Sequence, residues 1–175
     1  SPVLDEVPVQ TVKFNETFGF PSVHPSKFQG PPSKEVDDTW ARFSQHPMMD
    51  GRSGRMSVPF SAIAKMDKAT NGDWAASAVK LGDDKYMANL DLFHNAHCLN
   101  MFRKMMYPEH YRPYGESERG HLEHCMETLR QAIFCNSGTG LVTFHWVEGI
   151  EEPYPDYNVA HQCRDPEAML DWALR

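Results

Sequence analysis

The chain has 175 residues and a mass of 20.0 kDa, a size typical of one domain that buries a core without relying on disulfides. Its hydrophobic fraction of 41% indicates a folded protein, and no apolar run reaches the about 18–20 residues that cross a bilayer. The formal net charge of -7, without a cluster of Lys and Arg, argues against nucleic acid as a partner because the field of the protein repels polyphosphates.

The first part of the chain is predicted to be an extended arm. Residues 1–32 contain six of the 13 prolines, and such a segment packs along a body rather than folding alone. Residues 33–175 are predicted to form a single domain. Ser1 is not an initiator Met, so we expect that an N-terminal piece has been removed. The sequon at Asn15 and the even number of four cysteines indicate an oxidising secretory compartment.

The fold class predicted from the remaining sequence is mainly α, with short β segments and long irregular arms. Ser33 is a candidate N-cap for a helix over residues 34–45, in which apolar residues recur at i, i+4 and i+7. The further predicted elements are a short helix at 62–66, a strand or extended lead-in at 86–92, helices at 92–107 and 117–135, a β-type run at 141–147 and a last helix at 165–175.

A ten-residue pattern occurs twice within the two long helices. Residues 94–103 read HNAHCLNMFR, and residues 121–130, 27 positions later, read HLEHCMETLR. Both copies therefore have the form HxxHC, followed at equal offsets by apolar residues and an Arg. Arg103 and Arg130 point away from the histidine face, so we expect them to form ion pairs or to interact with a helix C-terminus.

The spacing of the motif places metal-ligand side chains on one helix face. With about 100° per residue, His94, His97 and Cys98 lie within an arc of about 100°, and the second helix repeats this geometry. The two helices are predicted to pack antiparallel and to form a metal-binding core. Imidazole suits copper, zinc, iron and nickel, and histidine-only sites in an oxidising compartment favour copper. A closed zinc site that staples the helices, or unligated core histidines, are the alternatives. The corresponding residues of the second copy are His121, His124 and Cys125.

The four cysteines permit three disulfide pairings. Cys98 and Cys125 face each other if the helices pack with pseudo-two-fold symmetry, which leaves Cys135 with Cys163. Thiolate ligation of the metal and a crossed pairing are the alternatives that the sequence leaves open.

Two histidines outside the repeat are candidates for the same centre. His161 lies two residues before Cys163, whose tether would bring its loop to the motif helices, and His145 lies in the β-type run. We rank His161 higher. The remaining histidines stand in Pro-containing loops and are predicted to be surface residues, namely His24, His46 and His110.

The paired HxxHC motifs resemble those of the UstYa-like oxidases of fungal secondary-metabolite clusters. Further similar stretches are Pro32-Ser33 ahead of Val36-Asp37 and Trp40, the Leu-Arg-Gln and Cys135 after the second copy, and the segment from His161 through Trp172. The resemblance covers about residue 30 to the C-terminus. One departure is the segment 136–139, where the family pattern has an Asp-Thr-containing stretch.

The resemblance implies a lumenal catalytic domain anchored in the membrane by an N-terminal helix that this chain lacks. It implies an oxidase that uses copper and dioxygen on a peptide or small-molecule substrate, by oxidative cyclisation, hydroxylation, desaturation or halogenation. One or two copper ions are then held by His94, His97, His121 and His124, with His161 as a further ligand. The alternative is a metal- or disulfide-stapled, non-catalytic binding subunit, and a homo- or hetero-oligomer with a related subunit is a further expectation.

Overall fold

The computed structural model describes residues 2–14, 26–44, 55–65, 78–112 and 115–174. These residues are mainly α with short strands, as the sequence predicts. The elements follow in the order 3-10 helix Pro2–Asp5, β1 Val9–Lys13, α1 Lys34–Ser44, β2 Arg55–Pro59, α2 Phe60–Ile63, β3 Lys85–Asn89, α3 Asp91–Met105, α4 Glu116–Asn136, β4 Thr143–His145, β5 Tyr154–Asp156, β6 Ala160–Arg164 and α5 Pro166–Ala173.

The ends of the helices follow local capping signals. The Ser33 hydroxyl accepts a hydrogen bond from the Val36 N–H at 3.2 Å, which confirms the predicted N-cap of α1. The Glu118 carboxylate accepts from the Gly115 N–H at 2.9 Å at the start of α4. At the other end of α4, Ser137 adopts a left-handed conformation with φ of 33° and stops the helix. The two motif helices therefore lie within one residue or two of their predicted bounds.

Three shorter predictions need correction. The helix expected at 62–66 is α2, which begins at Phe60, directly after Pro59. Of the β-type run expected at 141–147, only Thr143–His145 forms a strand, which pairs with the three residues of β5. The last helix begins at Pro166, where the Asp165 side chain accepts from the Glu167 N–H at 2.9 Å.

The strands form three separate antiparallel pairs, β1 with β6, β2 with β3, and β4 with β5. In the first pair, Val9 lies opposite Arg164 and Lys13 opposite Ala160. The N-terminal segment is thereby tied to the strand that precedes α5. The division into an arm of residues 1–32 and a domain of residues 33–175 stays a prediction.

Two clusters of buried side chains hold the helices together. The larger one joins α1, β2, α2, α3 and α5, and its central side chain is Phe93, which is 1% exposed. The smaller one lies between α3 and α4 and contains Cys98, Met101 and Cys125. Because α3 contributes to both clusters, it connects the main core to the second motif helix. Within the described ranges, no helix has the length and apolar character needed to cross a membrane.

Candidate metal centre

The four motif histidines meet in two pairs across the contact between α3 and α4. The ring centres of His94 and His124 are 5.4 Å apart, and those of His97 and His121 are 5.5 Å apart. Within the second helix, the rings of His121 and His124 are separated by 6.4 Å. Each pair joins the first histidine of one copy to the second histidine of the other, so the two helices run in opposite directions where they meet.

The arrangement has the pseudo-two-fold symmetry that the repeat predicts. A two-fold rotation that exchanges the copies exchanges His94 with His121 and His97 with His124. It therefore maps the His94–His124 pair onto the His121–His97 pair, and the ring-centre distances of the two pairs agree within 0.1 Å. The same operation maps the contact between Cys98 and Cys125 onto itself, and these two Sγ atoms lie 2.7 Å apart. The cysteines therefore mark the pseudo-symmetry axis.

The spacing of each pair fits a shared metal ion. Two imidazoles that bind one ion through metal–nitrogen bonds of about 2 Å have ring centres about 5–6 Å apart. Among the side chains that the structure describes, however, no three His, Cys, Asp or Glu residues converge as one complete metal site. The four histidines form two sets of two nitrogen donors, a donor type that suits copper as well as zinc, iron and nickel.

Burial keeps the histidines of the first copy neutral. It lowers the pKa of His94, and the neighbouring His124 and His121 lower it further. Burial likewise lowers the pKa of His97, reinforced by His121 and His94. Because a metal competes with protons for the ring nitrogens, neutral imidazoles are ready to bind an ion at neutral pH.

The two cysteines on the pseudo-symmetry axis are fully buried, with 0% of each residue exposed. Burial, followed by the hydrogen bond with Cys125, raises the pKa of Cys98 to about 12. Such a thiol is a poor source of thiolate at neutral pH in the metal-free protein. All four cysteines are free thiols in this structure, with Cys135 exposed and Cys163 half-buried. The two disulfides stay predictions.

A hydrogen-bonded network behind His97 escaped the sequence analysis. The backbone of Ser44, at the end of α1, acts on the His97 ring as a nearby acceptor and pushes its pKa upward, against the larger lowering by burial. The Ser44 hydroxyl accepts from the Asn100 side-chain N–H at 3.0 Å and donates to the Trp40 carbonyl at 2.8 Å. Ser44 is 0% and Asn100 5% exposed. These hydrogen bonds tie the end of α1 to α3, and with it the Ser44 backbone that acts on His97.

Arg103 extends this network to the first turn of α1. It donates to Asn100 at 2.8 Å and to the Asp37 carboxylate at 2.6 Å, and Tyr111 donates to the same carboxylate at 2.6 Å. Burial pushes the pKa of Asp37 upward, but the hydrogen bonds from Tyr111 and Arg103 outweigh it and leave the pKa below its usual 3.8. The sequence signal for this network was Asn100 itself, a polar residue one turn after His97 and one turn before Arg103 on the same helix face.

A family model described as "Mycotoxin biosynthesis protein UstYa" matches residues 1–175. The chain belongs to the UstYa family. This result confirms the resemblance carried by the paired motifs.

The UstYa-family relatives are similar along the whole chain. The chain is 34% identical to the UstYa family oxidase aprY of Aspergillus flavus, covering 99% of this chain and 54% of aprY. It is 29% identical to the UstYa family oxidase phomYc of Diaporthe leptostromiformis, covering 99% of this chain and 68% of phomYc. The chain therefore spans about half to two thirds of the length of these curated relatives. No solved structure matches it.

The two copies of the UstYa-family motif differ in what surrounds their arginines. Asn100 and Arg103 of the first copy correspond to Glu127 and Arg130 of the second. Arg130 pairs with Glu127 at 2.6 Å within its own helix, and both side chains are about half exposed. Both arginines thus form the predicted ion pairs, but only Arg103 connects its helix to another element.

Among the described residues, His161 makes no ring contact with the four motif histidines. It is on β6, opposite Val12 of β1, and its ring stacks on Phe14 with centres 3.8 Å apart. Ligation by His161 stays a prediction.

Among the described residues, neither His145 nor His110 makes a ring contact with the histidine pairs. His145 contacts Tyr154 edge-on at 5.9 Å on an exposed strand, and His110 contacts Tyr111 at 4.8 Å. The structure confirms His110 as an exposed loop residue. The remaining predicted residues lie outside the described residues, namely Asn15, His24 and His46.

Proposed function

We propose that this UstYa-family chain is the catalytic part of a copper-dependent oxidase that uses dioxygen to oxidise a peptide or a small secondary metabolite. The observation that carries the proposal is the pair of matched histidine contacts, His94 with His124 and His97 with His121, at 5.4 and 5.5 Å. The names of the relatives aprY and phomYc, both described as UstYa family oxidases, support the reaction class.

In this proposal the four motif histidines hold one or two copper ions. Copper, when bound, supplies the one-electron and dioxygen chemistry of an oxidase. The chain supplies neutral nitrogen donors, because burial lowers the pKa of His94 and His97. In the proposed site, the Ser44 backbone would accept a hydrogen bond from one ring nitrogen of His97 and leave the lone pair of the other for the metal.

The reaction type is proposed only as a class. Oxidative cyclisation, hydroxylation, desaturation and halogenation each begin with the removal of electrons from a bound substrate, and each is compatible with the same donor set. The side chains that contact substrate would then distinguish among them.

The test is metal analysis and oxygen uptake with protein purified from a copper-supplemented source. We expect stoichiometric copper and oxygen consumption under reductant, and we expect His94→Ala and His121→Ala each to abolish both. His145→Ala is the matched control, because this exposed imidazole contacts Tyr154 and not the motif histidines. Stoichiometric zinc with no oxygen uptake would refute the proposal.

A non-catalytic binding subunit is the second candidate. It is favoured by the buried Cys98–Cys125 contact, which holds the helices together without a metal, and by the lack of a complete three-residue donor set in the described parts of the chain. In that case the histidine variants would retain partner or substrate binding while turnover is absent from the wild type as well.

We further propose that the protein works in the lumen of the secretory pathway, anchored to the membrane by an N-terminal helix. The sequon at Asn15 and the four cysteines support this compartment. Expression in a fungal host should yield a glycan that an endoglycosidase removes from the wild type and that Asn15→Gln lacks. An unmodified Asn15 in protein recovered from the cytosol would contradict the location.

A further inference from the structure

The face of the helix pair opposite the histidines carries an apolar seam. On α3 and its C-cap residue Met106 the seam positions are 95, 99, 102 and 106, and on α4 they are 122, 126, 129 and 133, so both show intervals of four, three and four residues. This is the heptad spacing by which helices pack side by side in bundles. We call this surface the rear seam; its apolar members are Leu99, Phe102, Met106, Leu122, Met126, Leu129 and Ile133.

The helical geometry separates the rear seam from the metal centre. With about 100° per residue, Leu99 lies about 160° around the helix from His97 and about 140° from His94. Met126 has the same relation to His124 and His121. Since Cys98 and Cys125 face each other between the helices, the imidazoles lie on one side of the pair and the rear seam on the other.

The seam is half covered and half exposed. Phe102, Leu122 and Leu129 pack against the buried cysteine cluster. The outer members remain in solvent: Leu99 is 50% exposed, Met106 72%, Met126 61% and Ile133 67%. Each helix therefore contributes one pair of exposed side chains seven residues apart, and the repeat relates Leu99 to Met126 and Met106 to Ile133.

The size of the surface fits a dimer. The four exposed side chains correspond to about 500 Å² of accessible apolar surface, at the upper end of the largest patches on ordinary monomers. A stable interface of about 800 Å² per partner that is about 65% apolar needs about 500 Å² of apolar surface, which is about what these four side chains expose.

We propose that the rear seam binds the rear seam of a second copy of this chain, so that α3 and α4 of each copy form a four-helix arrangement. A two-fold dimer places the same patch against itself, and this patch is suited to that because its two halves are already equivalent. The dimer leaves both histidine faces open to substrate. The proposal is independent of the proposed oxidase activity.

The test compares two neighbouring residues of α4 with nearly equal exposure. Ile133 is 67% exposed and lies on the seam, whereas Phe134 is 66% exposed and lies about 100° away from it. We expect the purified 175-residue chain to sediment with twice its 20.0 kDa mass across protein concentrations of about 1–100 μM. Ile133→Glu should raise the dimer dissociation constant at least about 10-fold, while Phe134→Glu should leave it unchanged.

Circular dichroism of both variants separates dissociation from unfolding, since both side chains are exposed and neither change should alter helix content. A wild-type chain that stays monomeric over the whole range would overturn the dimer. Equal effects of the two glutamates would overturn the seam as its interface. The wild-type chain could also stay monomeric while Ile133 becomes shielded from solvent in a longer form of the protein or on addition of a related subunit. That result would assign the rear seam to the other segment or subunit and refute binding of a second copy.

Discussion

Replacing Arg103 with Met should destabilise the protein through one defined network. The Arg103 side chain is 9% exposed and is hydrogen-bonded to Asp37, Tyr111 and Asn100. Methionine keeps much of the packing of the Arg stem but has no donor. The Asp37 carboxylate and the Asn100 carbonyl oxygen therefore lose a hydrogen-bond donor.

The expected cost follows from the exposure of the partners. Removing one member of a fully buried ion pair costs about 3–5 kcal/mol. The Asp37 side chain is 36% exposed, so water and Tyr111 replace part of what the carboxylate loses. We therefore expect a loss of about 2–3 kcal/mol in the free energy of unfolding. For a chain of this length, that corresponds to a fall in Tm of about 5–10 °C.

The matched control is Arg130→Met, the same change at the equivalent position of the second motif. In the described part of the chain, Arg130 pairs with Glu127 and lies over the Phe134 ring, both on its own helix, and it is about half exposed, so its loss should leave the unfolding midpoint unchanged. Urea unfolding followed by circular dichroism measures both variants. Equal losses, or an unchanged midpoint for Arg103→Met, would refute the argument that the first copy is anchored to α1.

Three further results are expected. The pKa of Asp37 is lower in the folded than in the unfolded chain, so its contribution to stability is complete above about pH 4 and is lost as the pH falls through the folded-state pKa. The difference in unfolding free energy between wild type and Asp37→Asn should therefore shrink as the pH falls through this range. A difference that stays constant would contradict this. The lowered pKa of His94 means that protonation favours the unfolded chain, so the stability of the metal-free protein should decline as the pH falls below about 6.5, and His94→Gln should flatten that decline in urea titrations. Iodoacetamide should modify the exposed Cys135 in the native protein and should modify the buried Cys98 and Cys125 only after unfolding, which mass spectrometry can show. If Cys98 and Cys125 still fail to react in denaturant without reductant, they form a disulfide.

The repeated motif made the central part of the fold predictable. Equal spacing in two helical segments placed His94, His97 and Cys98 on one face, and the structure brings that face against its copy with matched distances. The bounds of α3 and α4 were predictable because Pro, Gly and capping residues act within a few positions of the helix ends. The short strands were less predictable, since a strand exists only where a partner is available.

The sequence by itself determined which residue types and spacings could make a metal centre, because helical periodicity is a local property of the chain. Only the tertiary structure decided how the centre is supported. Ser44 and Asn100 are 56 positions apart in the chain, yet their side chains are hydrogen-bonded and lie behind His97. The two arginines of the repeat have the same local sequence pattern, but packing of α1 buries Arg103 and leaves Arg130 in solvent. Such differences depend on which distant segment covers a helix face, and that is decided by the packing of the whole chain.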